Sequence, residues 1–520
     1  MKPIKLISGF FTVGVWTLAS RVLGFVRDAM ILAFLGTGPL YEAYVVAFRL
    51  PNMFRRFFAE GAFNTAFVPI FSKKLEAGDD PQGFAEDAFA ALASVLIALT
   101  LLAMAIMPWL IFAMASGFAG QEKFDLSVEF GRIAFPYILF ISLAALLSGV
   151  LNATGRFAAA AAAPVLLNVM LVAAMTTAWL FDKDVARALI WTIPLAGVAQ
   201  MVLVWKAAAD AGFKLLPRRL RWTPELKRLV AVAVPAALAG GVMQINLIVG
   251  QQVASAFDRA VGWLYAADRL YQLPLGVVGI AIGIVLLPDL ARRLQDNDSR
   301  GAKYALSRAA EISLALTIPA AVALVIVPLP LVQVLFERGA VRADDSAAIA
   351  VAVAIYGLGL PAFVLQKILQ PIFFAREDTK TPFRLAVVAM VVNAVLAVGL
   401  AWGLGQPIGW LGAAIATTLA GWTMVGLLAW RARAFGDVVR FDGRFHVRIW
   451  RILGASVLMG AVLWVSNVIL AGMFGADGWR VLALGLLIAS GIGSYGFFGQ
   501  LMGAFELREI RHMLRREAKP

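Results

Sequence analysis

Residues 9–35 read GFFTVGVWTLASRVLGFVRDAMILAFL. The stretch is apolar for 27 residues, longer than the roughly 20 that cross the hydrocarbon core of a bilayer. It nevertheless carries Arg21, Arg27 and Asp28. The length predicts a membrane-spanning helix. The arginines within it, with no small-residue cleavage site after them, argue against a secretory signal peptide.

Similar stretches fill the chain. Of 520 residues 61% are hydrophobic and 15% charged, and the mean hydropathy is +0.83. Soluble domains sit near 45–50% apolar, so this chain has too little polar surface for a water-soluble globule. The expected fold is all-α and polytopic, with spans near 9–35, 42–71, 87–116, 125–151, 158–181, 188–205, 229–254, 261–290, 309–336, 346–375, 385–403, 410–430, 452–470 and 481–505, about fourteen in all. There is no cysteine and only His446 and His512, which leaves little for thiolate, disulfide or His-based metal chemistry.

The net charge of +14 could point to nucleic acid, but the placement of the basic residues gives a simpler reading. Alternate connections between spans hold 31 Lys and Arg in one set and 7 in the other. Cytoplasmic loops are enriched in Lys and Arg. The bias predicts an even number of spans with both termini in the cytoplasm, and no nucleic-acid partner.

An internal repeat is also visible. Phe67–Asp79 lines up with Leu286–Asp298 at a shift of 219. At a shift of 225, Pro136 meets Pro361, Thr154 meets Thr379, Asn168 meets Asn393 and Trp205 meets Trp430. Spans 1–6 and 7–12 are read as two copies. An even number of spans per copy predicts shared orientation and a pseudo-two-fold along the membrane normal. The expected division is an N-terminal lobe over 1–210, a C-terminal lobe over 211–440, and an accessory pair of helices with a cytoplasmic tail over 441–520.

Eight of the 46 basic residues lie within spans: Arg21, Arg27, Arg49, Arg55, Arg56, Arg132, Arg269 and Lys367. A basic group near a helix centre costs roughly 2.5–3.5 kcal/mol on insertion scales, so such residues mark pathways or buried pairs. Arg132 is close enough to a helix end to snorkel, and Lys367 has no evident acidic neighbour. Embedded acids at Asp28, Glu42, Glu60 and Asp268 could neutralise several arginines, with Arg49 or Arg56 pairing to Glu42, Glu60 or Asp28. Arg21, Arg27, Arg55 and Arg269 point instead to a wet cationic cavity between the lobes. Arginine suits phosphate because its planar fork stays charged and donates two parallel hydrogen bonds. The implied ligand is an anion, a phosphate or diphosphate. Gly24, Pro51, Pro274 and Gly276 are candidate hinges, with Pro51 expected to break span 2 and Pro274, Gly276, Gly279 and Gly283 to interrupt span 8.

Ser20-Arg-Val-Leu-Gly-Phe-Val-Arg-Asp28, followed by Phe48-Arg-Leu-Pro-Asn-Met-Phe-Arg-Arg-Phe-Phe-Ala-Glu-Gly-Ala-Phe63, resembles the signature of the MurJ (MviN) lipid II flippases, within the multidrug/oligosaccharidyl-lipid/polysaccharide exporter superfamily. The likeness runs the whole length. It takes in Tyr265-Ala-Ala-Asp-Arg-Leu270, Leu287-Pro288 and Phe373-Phe-Ala-Arg-Glu-Asp-Thr-Lys-Thr-Pro382. It implies fourteen helices, no enzymatic activity, and export of lipid II across the bacterial inner membrane by alternating access. Arg21, Arg27 and Arg55 would bind the diphosphate and sugar, with Arg269 opposite. Asp28, Arg56, Glu60 and Asp268 would brace or switch them. Glu42 stands where the family has an aspartate, so its gating role is left open. The last two spans would shape a groove for the polyprenyl tail. Lipid II and membrane lipids are the implied partners, and other cell-wall synthesis proteins are left open.

No cofactor is implied. Coupling to a monovalent ion or to the membrane potential is left open. The lack of Asp and Glu in spans 7 and 11 favours the potential, worth about 2.3 kcal/mol per charge per 100 mV. The competing readings are an exporter of another polyprenyl-diphosphate-linked oligosaccharide or of drugs, and a non-transporting scaffold of cell-wall synthesis. A drug exporter would centre on acids for cationic substrates, and a scaffold needs no central arginines.

Overall fold

A computed structural model describes residues 3–55, 62–215, 218, 221–296, 298–476 and 478–505. Among them the chain is helical throughout. The helices are α1 (Pro3–Leu35), α2 (Pro39–Arg55), α3 (Ala62–Ala77), α4 (Pro81–Ala105), α5 (Met107–Met114), α6 (Glu122–Ala134), α7 (Tyr137–Ala153), α8 (Ala158–Leu180) and α9 (Val185–Asp210), then α10 (Pro224–Ala254), α11 (Ala260–Gln295), α12 (Ser299–Ile326), α13 (Pro328–Phe336), α14 (Ala343–Phe374), α15 (Lys380–Leu404), α16 (Leu411–Ala432), α17 (Gly443–Phe474) and α18 (Arg480–Leu501).

Each expected span falls on one of these helices or on a consecutive pair. Ten helical segments among the described residues are long and apolar enough to cross a membrane. The other four expected spans fall on α1, α2 with α3, α10 and α11. Three of these carry most of the embedded charges, Arg132 and Lys367 lying on α6 and α14, and all four adjoin or include positions whose side chains are not described.

The breaks lie elsewhere than expected. α2 continues through Pro51 to Arg55, and α11 continues through Pro274 and Gly276 to Gln295. These prolines are therefore housed within helices and do not end them. Asn52 Nδ2 donates to the Phe48 carbonyl at 3.1 Å, an extra side-chain donor beside the turn where Pro51 supplies none. The continuous-looking spans 3, 4 and 9 are each two helices, split at Ile106, at Phe135–Pro136 and at Val327. Pro108 and Pro328 stand in the first turn of α5 and α13, where a missing N–H costs nothing.

The chain forms two compact units, Met1–Gly262 and Trp263–Pro520. The repeat boundary at 210 and this packing boundary differ because α10 packs on α3, α4 and α5 of the first unit. Local geometry agrees with duplication. Lys74 pairs with Asp79, and Arg293 pairs with Asp298, each across five residues.

Within the second unit, Leu290, Leu306, Ile368, Phe373, Leu428 and Ile452 form one buried core, and Val334, Met459, Leu463 and Leu487 join α13, α17 and α18 in another. The faces turned away from both cores remain apolar. Ile469 on α17 is 74% exposed and Ile492 on α18 is 70% exposed. A contiguous apolar exterior is the expected surface of a helix solvated by lipid.

The first unit is tied together by polar contacts at one end. Gln252 accepts from the Ser116 N–H at 3.0 Å and donates to Ser116 Oγ, while Ser255 Oγ accepts from the Gly117 N–H at 3.0 Å. A Cβ on Gly117 would stand 2.3 Å from the Ser255 carbonyl oxygen. Backbone faces backbone there, so neither side can yield by rotating a side chain. Gly117→Ala is expected to destabilise the protein by about 1–3 kcal/mol, as overpacking does; thermal unfolding in detergent measures it. An unchanged midpoint would show that the contact of Gly117 with the Ser255 carbonyl is looser than drawn.

Candidate functional site

Arg21 and Arg27 are six residues apart on α1, about 9 Å along the axis and about 120° apart around it. They therefore meet different surroundings. Arg21 is exposed on its unit. Arg27 is turned against α8, with its side chain 12% exposed.

Arg27 is held on two sides. Its Nε and Nη2 donate to Asp28 Oδ1 at 2.9 and 2.6 Å. Its Nη1 donates to Asn168 Oδ1 on α8 at 2.7 Å. The Arg27–Asp28 pair is thus one of the ion pairs anticipated for the embedded charges. Gly24 lies in the same α1–α8 contact, and α1 is helical through it.

The expected arginine partners for Glu42 are replaced by a lysine. Glu42 is fully buried at the start of α2, and its Oε2 accepts from Lys123 Nζ of α6 at 2.8 Å. Its Oε1 accepts the Val261 backbone N–H, in the first turn of α11, at 3.1 Å. The Lys123 ammonium also stands 4.5 Å from the centre of the Phe118 ring. Sequence reading placed Lys123 in a loop, where it counted only towards topology. Arg49 likewise bonds an amide and not Glu42: its Nη1 donates to Gln251 Oε1 at 2.7 Å, and Gln251 Nε2 donates to the Met114 carbonyl at 3.3 Å. Arg55 is half-buried in the last turn of α2. Arg56 and Glu60 lie outside the described residues.

In the second unit, Asp268 and Arg269 are consecutive on α11. The Arg269 guanidinium carbon lies 4.3 Å from the centre of the Tyr265 ring, one turn earlier, a cation–π arrangement. Asp268 accepts from the Gln272 side-chain amide one turn later.

The structure thus brings Arg27 and Asp28 together, adds Asn168, and gives Glu42 a structural partner. Lys123, Asn168 and Gln251 were not singled out as site residues. The available signal was polarity in apolar surroundings: Gln251-Gln252 near the end of a span, and an asparagine amid α8 that also occurs at the matching repeat position, Asn393. Asn168 is 4% exposed and Asn393 1%.

Chemically, this is a set of fixed cations in helices of membrane-spanning length. Arg27 is held beside Asp28 and Asn168 in the first unit, and Arg269 lies against Tyr265 in the second. The family model described as lipid II flippase MurJ matches residues 31–478. The chain belongs to the MurJ lipid II flippase family.

Its relatives agree over nearly the full length. A probable lipid II flippase MurJ of Rhizobium tropici is 42% identical over 524 aligned residues, covering 99% of this chain and 97% of the relative. A lipid II flippase MurJ of Burkholderia cenocepacia is 38% identical, with 75% and 77% covered. Among solved structures, a lipid II flippase MurJ in an inward closed conformation superposes with a TM-score of 0.79 at 24% identity, covering 94% of this chain and 98% of that one. An inward-facing multidrug resistance MATE family transporter of the MOP superfamily gives 0.68 at 16% identity, covering 80% and 95%. At these identities the structural likenesses speak for the fold alone.

Proposed function

We propose that this protein carries lipid II, the lipid-linked peptidoglycan precursor, from the inner to the outer leaflet of the bacterial cytoplasmic membrane. Full-length membership of the MurJ family carries the reading. The chemistry of the chain supports it. A diphosphate does not cross hydrocarbon unaided, because its hydration must be replaced by other donors. Guanidinium groups in membrane-spanning helices supply such donors at fixed positions.

Arg21, Arg27 and Arg55 grip the diphosphate and adjoining sugar, and Arg269 on α11 is a further substrate-binding guanidinium. The polyprenyl tail stays in lipid along α17 and α18, whose outer faces are apolar. Alternating access carries the head group across, with bending at Gly24, Pro51, Pro274 and Gly276 of helices that are unbroken in this conformation. No covalent chemistry takes place. The membrane potential drives the cycle, and both termini face the cytoplasm.

Depletion of the protein from growing cells tests the reading. Lipid II is expected to accumulate in the cytoplasmic leaflet, read by its inaccessibility to a periplasmic lipid II-modifying enzyme. An unchanged leaflet distribution after depletion would remove the flippase assignment.

A further inference from the structure

Asn168 is a buried amide in the middle of α8, among alanine, valine, leucine and methionine. A buried amide is stable when both its ends are bonded. Its Nδ2 donates to the Ser20 backbone carbonyl at 2.9 Å and lies 3.5 Å from Ser20 Oγ. Its Oδ1 accepts from Arg27 Nη1 at 2.7 Å. The two ends are linked. With the NH₂ turned to the Ser20 carbonyl, the oxygen necessarily faces Arg27, because an amide presents donor and acceptor on opposite sides.

The Ser20 carbonyl is also the regular helical partner of the Gly24 N–H, four residues on. Asn168 therefore touches α1 at the turn that Gly24 closes, where a Cβ would lie 3.6 Å from Nδ2. Asp28 is the chain neighbour of Arg27 and meets it through a single carboxylate oxygen, Oδ1. Asn168 adds a fixed point on a different helix. It is uncharged, so it orients the guanidinium without cancelling its charge.

We propose that Asn168 is the positioning residue for Arg27: one amide locks α1 to α8 at Ser20 and aims the Arg27 guanidinium for a lipid diphosphate. This rests on the reading that Arg27 binds the diphosphate. Asn168 touches no substrate and acts through Arg27.

The test is a double-mutant cycle on the full-length protein in detergent, with a polyprenyl diphosphate as the titrated probe and the thermal midpoint of each variant recorded. Arg27→Ala is expected to weaken binding by about a hundredfold or more, the scale of two hydrogen bonds involving a charged group, and Asn168→Leu by about tenfold, the scale of one. The double variant is expected to bind no more weakly than Arg27→Ala alone, because coupled residues are not additive. Asn168→Asp is isosteric. It is expected to weaken binding, since it adds a negative charge beside the Arg27 guanidinium, and to lower the midpoint, since it turns an oxygen towards the Ser20 carbonyl in place of a donor.

A merely structural role for Asn168 predicts the opposite, namely losses that multiply in the double variant. That result, or wild-type affinity in Asn168→Leu, overturns the proposal. If Asn168→Leu does not fold, Asn168→Asp decides: wild-type affinity there overturns it. Wild-type affinity in Arg27→Ala would instead overturn the role of Arg27 on which the proposal rests, and so separates the two failures.

Discussion

Lys123→Met is expected to destabilise the protein by ~3–5 kcal/mol, the usual cost of removing one partner from a buried ion pair. Glu42 is 0% exposed and Lys123 3%. Without the ammonium, the Glu42 carboxylate keeps the Val261 N–H as a donor but has no cation at bonding distance; Asp258, 3.9 Å from Nζ, is an acid and offers none. Glu42→Gln is expected to cost less, because an amide oxygen still accepts from Val261 and no buried charge is stranded on that side. The pair Glu42→Gln with Lys123→Met is expected to recover most of the loss, because the uncompensated charge is then gone from both sides. Thermal unfolding of the purified protein measures all three. A Lys123→Met variant as stable as wild type would show that the carboxylate is solvated or protonated and the pair unimportant. Because the contact joins α2, α6 and the start of α11, its loss is also expected to loosen the first unit at that end. Trypsin cleavage after Arg259, in the connection between α10 and α11, should then be faster than in wild type.

Arg27→Ala is expected to abolish rescue of cells depleted of the protein. The side chain is held from both α1 and α8, and truncation removes every guanidinium donor at that point. Loss of two charge-assisted hydrogen bonds to a phosphate corresponds to about a hundredfold or more in affinity. Arg27→Lys keeps the charge but replaces a planar fork by a compact ammonium, so partial rescue is expected. Truncation also takes from Asp28, itself 7% exposed, its 2.6 and 2.9 Å bonds. Arg27→Ala paired with Asp28→Asn separates the two effects: if stranding Asp28 caused the defect, the pair would restore growth. Continued failure of the double variant is the expected outcome. Full rescue by Arg27→Ala alone would contradict the assignment.

Much of the fold was legible because span length is a one-dimensional property. Twenty apolar residues cross a bilayer whatever they pack against, so each expected span met a helix or a helix pair. The internal breaks were not legible in the same way. Pro51 and Pro274 looked like interruptions yet sit within unbroken helices, as membrane helices allow when the freed carbonyl finds another donor or lies in a tolerant turn. Pro108, Pro136 and Pro328 do mark breaks, but the apolar sequence runs straight through them, so hydropathy hides the joint. In the site, the arginines stood out because charge is costly in hydrocarbon. Their partners did not. Arg27 and Asn168 are 141 residues apart, and Glu42 and Lys123 are 81 apart. Only packing brings such residues together. Lys123 was further concealed by lying at a helix start, where a basic residue reads as an ordinary loop charge.

Transbilayer movement of lipid II in proteoliposomes made from purified protein is the most direct check on the embedded arginines. With wild-type protein and an imposed membrane potential, lipid II placed in one leaflet is expected to become accessible in the other well above the protein-free rate. With Arg27→Ala, the rate is expected to fall to the protein-free level, and to stay there when Asp28→Asn is added so that no carboxylate is left stranded. Wild-type movement in Arg27→Ala vesicles would mean that the head group crosses without the grip of this guanidinium, and the account would be wrong at its centre.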